Sequence, residues 1–182
     1  ALRRNALGLA RTLLEGGFDL PLRQLIVEAY QLQPGNPSKM SSNGEADLAT
    51  VQQMEIEKFV MDRLRGYFTD KGFNEQQFDA VEAVAYGSLP DFAKRLSAIA
   101  EFAKLPEAAA LAAANKRSGN ILKKSGGEAA LSVDPLLFQD TAERGLWAAL
   151  SQTESVNAPK LKANDYVGVL QALAGLHEPV DA

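Results

Sequence analysis

Four cations and one amide recur at helical spacing in the middle of this chain: Lys116, Arg117, Asn120, Lys123 and Lys124. Turned at about 100° per residue with Lys116 as origin, all five fall within an arc of roughly 120°. Leu111, Ala114, Ser118, Ile121 and Leu122 fall on the opposite side. The spacing predicts a helix that buries one face and carries point charges along the other. A phosphate backbone suits such a stripe. Arg can bind an oxyanion through two N–H groups, and Asn offers a donor beside an acceptor to a base edge. Lys94 and Arg95, on the preceding predicted helix, extend the basic stretch. Charge stripes on amphipathic helices are also commonly just solvated faces, and the pattern alone leaves both readings open. Gly119 sits inside the same helix at a cost of roughly 1 kcal/mol relative to alanine, which a close helix or backbone approach would explain.

Charge bookkeeping sharpens the stripe. Residues 91–124 hold seven basic and three acidic side chains, a net +4, in a chain whose net charge is −4. The remainder therefore carries −8, and the chain as a whole is not a basic nucleic-acid binder. With 0 cysteines and 1 histidine, His177, there is no thiolate nucleophile, no disulfide framework and no His-cluster metal site. His177 beside Glu178 reads as a surface residue, because no nucleophile and base can be grouped around it. Phosphate-loop, dinucleotide and zinc-protease signatures are absent. Nothing in the residues supports catalysis by this chain alone, so no catalytic and no metal-binding residue is expected. Hydrophobic residues make up 46% of the 182, enough for a core. No apolar run reaches the roughly 18 residues that a membrane span needs, and no leader segment is evident, so the expected compartment is the cytoplasm. A chain opening on Ala1 reads as part of a longer protein.

The elements that must position the stripe are all helical. Leu2, Ala6, Leu9, Leu13 and Leu14 keep helical spacing until Gly16–Gly17. Asp19 is the expected cap of a second helix, with Pro21 in its first turn and a buried stripe of Leu22, Leu25, Ile26, Ala29 and Tyr30. The stretch QPGNPSKMSSNGEAD from Gln33 to Asp47 reads as a flexible linker. A long helix from Val51 stops near Gly72, and Asn74 caps one carrying Phe78, Val81, Ala85 and Tyr86. Ser88 and Pro90 open a helix that Leu105–Pro106 breaks, and an alanine-rich helix runs from about Glu107 to Lys124, ending at Gly126–Gly127. Asp134–Pro135 reads as the start of a helix through Leu150, residues 151–163 as a loop, and Tyr166 to Leu176 as a last helix. Asp62 and Arg65 form an i, i+3 ion pair on this reading, and Trp147 is a core or interface anchor. No strand or hairpin pattern competes. The fold class is all-α, a helical bundle.

Several segments go further. Ala1–Arg11, reading ALRRNALGLAR, resembles a segment of the β subunit of the two-subunit bacterial glycyl-tRNA synthetase. Asp62-Arg63-Leu64-Arg65 resembles that family's DRLR. Ala113–Lys124 resembles its AxxKRxxNILKK helix. Val133–Phe138, with Ala142–Glu143, resembles its DPxLFxxxAE stretch. Pro179–Ala182 resembles the start of a motif that continues in the family, so the closing helices are expected beyond Ala182. The resemblance spans the whole chain. It implies a C-terminal portion of the β subunit, with residues 1–32 the tail of an HD-like domain, 33–50 a linker, 51–89 connector helices, and 90–182 a partial anticodon-binding domain of the DALR type. It implies tRNA(Gly) and the synthetase α subunit as partners, in an α2β2 assembly. Glycine activation with ATP and Mg would belong to the α subunit, leaving this part without a cofactor. Carried over residue by residue as candidate RNA contacts, the KRxxNILKK match lands on Lys116, Arg117, Asn120, Lys123 and Lys124. Phe92, Phe102 and Tyr86 are candidates for a face on which bases stack. The alternative is a helical scaffold that docks subunits and touches little RNA.

Overall fold

The structure, a computed structural model, describes residues 1–34, 43–84, 86–124 and 133–181; for 43–48 only the backbone is described. The described residues contain helices and no strand. The chain divides into two compact units, residues 1–96 and 97–182.

In the first unit, α1 (Leu2–Glu15) and α2 (Leu22–Leu32) both pack on a 28-residue spine, α3 (Asn43–Asp70), which also carries α4 (Glu75–Glu82). Two of the stops are of one kind. Gly17 and Gly72 take positive φ, 65° and 94°. Each lets the following N–H reach back five residues: Phe18 N to the Leu13 carbonyl at 3.0 Å, and Phe73 N to the Phe68 carbonyl at 3.1 Å. That is the Schellman arrangement, which satisfies carbonyls the helix end would otherwise orphan. It also throws Phe73 back against Phe68, with ring centroids 5.6 Å apart. Asn74 then opens α4 with a reciprocal box: its Oδ1 accepts from Gln77 N at 2.8 Å, and Gln77 Oε1 accepts from Asn74 N at 3.0 Å.

The core of this unit is aromatic. Phe78 and Phe92 lie 4.9 Å apart, Phe68 is 5.9 Å from Phe92, and Tyr86 is 5.1 Å from it, edge to face. Phe92 lies in the first turn of α5 (Leu89–Phe102), which straddles the division between the units. Buried Leu64, Leu22, Leu89 and Leu96 complete the packing. Phe92 is fully buried and Tyr86 half-buried, so neither offers a stacking face to a base; aromatic area of this size is more favourable inside. Burial also pushes the Tyr86 hydroxyl up to about 12 from its ordinary 10.0, with smaller contributions from Glu57 and Glu82. Its neutral form is the one the fold favours. Between pH 10 and 12 the unfolded chain therefore ionises first, and stability falls as pH rises through that window. Tyr86→Phe should remove this part of the alkaline loss in denaturant titrations at pH 9 and pH 11.

Several local expectations are corrected here. Asp19 does not cap α2; Pro21 occupies the N-cap, and Asp19 instead accepts a 2.6 Å hydrogen bond from the fully buried Ser88 hydroxyl, 69 residues away. Arg65 does not pair with Asp62. It reaches α4, to Asp79 at 2.5 Å and Glu82 at 2.6 Å, and lies over the Phe78 ring at 4.4 Å. Two carboxylates across the helix pair outcompete one along the helix. Within the expected linker, Asn43–Thr50 already belongs to α3, where Glu45-Ala46-Asp47-Leu48-Ala49 has ordinary helix propensity; residues 35–42 lie outside the described residues. The α4 helix ends at Glu82, short of Tyr86, and Ala85 is outside the described residues.

The second unit holds α6 (Pro106–Lys124), a single 3-10 turn (Pro135–Leu137), α7 (Thr141–Lys162), α8 (Tyr166–Ala174) and the short α9 (His177–Asp181). Asp134–Pro135 opens only that turn. The true start of α7 is Asp140, whose side chain caps it while Glu143 Oε2 accepts from Asp140 N at 3.2 Å. The expected loop 151–163 is helical: α7 runs through it to Lys162, Pro159 included, and Ala163 is the C-cap. A proline inside a helix costs about 3 kcal/mol. Packing of the last turns against α8 outweighs it, with Asn157 buried and Lys160 Nζ donating to the Gly168 carbonyl at 2.9 Å. Asn164, at φ 56°, closes α7 as Gly17 and Gly72 close theirs, and Asp165 then caps α8 by accepting from Gly168 N at 3.0 Å. His177 is half-buried, not a plain surface residue; its Nδ1 lies 3.1 Å from the Ala174 carbonyl at the end of α8.

Candidate nucleic-acid interface

The basic stripe stands on α6, which packs against α9 and α8 within the second unit. Pro106 opens the helix in the position where a missing N–H is harmless, and Glu107 follows in the first turn. Lys123 and Lys124 fall in the last turn, where cations complement the helix dipole. The expected end at Gly126–Gly127 lies outside the described residues.

Lys116, Arg117, Asn120 and Lys124 share one open face of α6 with Ala113 and Ile121. Lys123 is exposed beside it. Among the described residues, Lys116, Lys123 and Lys124 have no carboxylate partner, and the Asn120 carboxamide makes no hydrogen bond. Arg117 differs: its Nη2 lies 3.2 Å from Asp181 Oδ1 on α9. That contact joins positions 64 apart, and no local pattern announces it. Lys94 and Arg95 stand in the first unit. Lys94 is exposed, and Arg95 Nε donates to Asp91 at 2.9 Å one turn earlier.

The apolar side of α6 differs from the expectation. Ala108 and Ala114 are buried and Leu111 is half-buried, but Ser118, Ile121 and Leu122 are exposed, the latter two by 62% and 48%. Helical periodicity says which residues share a face; it does not say how far along the helix a neighbour covers that face. Nor does a close approach explain Gly119. A Cβ built there meets nothing within 4 Å. Gly119→Ala should therefore raise the chain's stability by about 0.5–1 kcal/mol in thermal or denaturant unfolding.

Elsewhere the described residues hold no group of three His, Cys, Asp or Glu able to bind a metal ion, and no helix long and apolar enough to cross a membrane. Trp147 is partly exposed and packs edge to face on Phe138, centroids 6.1 Å apart.

A family model described as "Glycyl-tRNA synthetase beta subunit" matches residues 1–83. Relatives cover the rest as well. A glycine–tRNA ligase beta subunit of Methylobacillus flagellatus is 44% identical over 182 residues, all of this chain and 24% of the relative. One from Xanthomonas campestris pv. campestris is 45% identical over 183 residues, covering 100% of this chain and 26% of the relative. One from Xylella fastidiosa is 42% identical over 200 residues, covering 99% and 28%. The chain spans about a quarter of the length of the curated relatives it matches. Identity at this level across every element described above is the outcome the sequence motifs anticipate, and the chain belongs to the glycyl-tRNA synthetase β-subunit family.

Proposed function

We propose that this chain is the tRNA-binding part of a glycine–tRNA ligase β subunit, gripping the anticodon arm of tRNA(Gly) with the second unit. The observation that carries the reading is the α6 stripe: three exposed lysines and an amide along one helix face, with no carboxylate partner among the described residues. A solvated face usually interleaves its charges with opposite ones, whereas this one leaves them available to phosphates. The family match supports RNA as the ligand, since the relatives are named as tRNA ligase subunits. In this reading glycine activation, with ATP and Mg, belongs to the α subunit in an α2β2 enzyme. This chain contributes affinity and orientation by phosphate neutralisation and contacts to unpaired bases. Footprinting of tRNA(Gly) on the intact enzyme tests it. Replacing Lys116, Lys123 and Lys124 by alanine should expose a loop that the wild type protects; an unchanged footprint removes the stripe as the RNA surface.

A second reading has its own observation. Leu136 and Leu137 on the 3-10 turn are 92% and 75% exposed, bare apolar side chains of the kind a subunit contact covers. Here the unit is a docking scaffold for the α subunit. Co-purification of the two subunits without RNA, with Leu136→Asp and Leu137→Asp as the control, separates the readings.

A further inference from the structure

Arg117 is by chemistry the best phosphate ligand of the stripe, since its guanidinium presents a planar fork of N–H donors that a lysine lacks. It is also the one cation of the stripe that, among the described residues, the fold ties to a carboxylate: its Nη2 lies 3.2 Å from Asp181 Oδ1. Both side chains are more than half exposed, and an exposed pair of this kind adds little to stability. Its larger effect is on the field along α6. Together Arg117 and Asp181 carry no net charge, and a phosphate that approaches the guanidinium meets the carboxylate as well. Asp181 is held in place, because α9 packs on both α6 and α7. Glu178, earlier on the same short helix, is directed elsewhere. It lines a hollow with Asp140, Thr141 and Leu146 at the start of α7. Of the two carboxylates on α9, only Asp181 meets the stripe.

We propose that Asp181 is an autoinhibitory contact that withholds Arg117 from RNA, so that the stripe binds phosphates through its lysines alone; this rests on the RNA reading above. The affinity of α6 for RNA is thereby held below what its cations could give. The restraint has a use. Phosphate contacts carry no sequence information, so a fourth clamp would tighten the grip on every RNA alike and slow its release. Counterion release follows the number of phosphates neutralised, and a guanidinium already matched by a carboxylate neutralises none. The pair is therefore silent in the wild type, and Arg117 becomes an RNA contact only when Asp181 loses its charge.

The test titrates tRNA(Gly) against the intact α/β enzyme over a range of salt concentrations. Asp181→Asn should tighten binding by up to about tenfold, the scale of one cation–phosphate contact, and steepen the logarithmic salt dependence by about 0.7, one further single-stranded phosphate. Arg117→Ala combined with Asp181→Asn should return both affinity and slope to the wild-type values, because the two changes together delete a pair without net charge. Glu178→Gln removes the same charge from α9 away from Arg117; it should leave the slope unchanged and alter affinity by less than about twofold. The autoinhibitory contact is overturned if Asp181→Asn gains nothing, if its gain survives the loss of Arg117, or if Glu178→Gln gains as much. It is equally overturned if the double variant binds about tenfold more weakly than wild type, since Arg117 would then already hold a phosphate. In all four cases salt-sensitive RNA binding by the lysines stands. If reversing the charge of Lys116 and Lys123 leaves tRNA affinity unchanged, the RNA reading itself falls.

Discussion

Reversing two charges on α6, Lys116→Glu together with Lys123→Glu, should weaken binding of tRNA(Gly) to the intact enzyme by about a hundredfold at moderate salt. A lysine contact to phosphate releases counterions and is worth close to a factor of ten; reversal replaces attraction by repulsion at each site. Both side chains are exposed and, among the described residues, have no carboxylate to lose, so the fold should barely respond. Lys123 also complements the C-terminal end of the helix dipole, and its reversal should cost a few tenths of a kcal/mol. Filter binding or fluorescence titration measures the affinity, and circular dichroism confirms the helix content. An affinity within twofold of wild type would mean that the stripe is a solvated face.

The largest effect on stability is expected at Phe92. It is fully buried between Phe78, Phe68 and Tyr86, with centroid distances of 4.9, 5.9 and 5.1 Å. Phe92→Ala removes the ring that three others pack on and leaves a cavity that rigid aromatic neighbours fill poorly. A loss of about 3–5 kcal/mol follows, a large part of what a domain of this size holds. Phe92→Leu should cost much less, because it keeps most of the volume. Urea unfolding followed by far-ultraviolet circular dichroism reads both. Equal midpoints for the wild type and Phe92→Ala would remove this cluster from the centre of the first unit.

Much of the fold is legible in the sequence where the determinant is local. Gly16–Gly17 and Gly72 end helices because the turn needs a residue at positive φ, and Asn74 caps α4 because its side chain is short enough to reach the next free N–H. The stripe itself follows from angular arithmetic on five residues. Misreadings arise where two local signals compete or where the partner is distant. Asp134–Pro135 has the look of a helix start, yet Asp140 with Glu143 is the stronger pair and takes α7. Pro159, among serines, threonine and asparagine, reads as loop until α8 is seen packing on α7. Asp19 is drawn away from capping by Ser88, and Arg65 away from Asp62 by α4, over separations of 69, 14 and 17 residues. At the candidate site the cations are legible and the tie on Arg117 is not. That Asp181 holds Arg117 depends on where α9 lies.

The account stands on phosphates meeting the face of α6, and salt reports that contact most directly. The logarithm of tRNA(Gly) affinity should be measured against the logarithm of salt concentration for the intact enzyme and for the variant with Lys116, Lys123 and Lys124 all changed to alanine. Each lost contact to a single-stranded phosphate lowers the slope by about 0.7, so the variant should be shallower by about 2. Parallel lines for the two proteins would contradict the account.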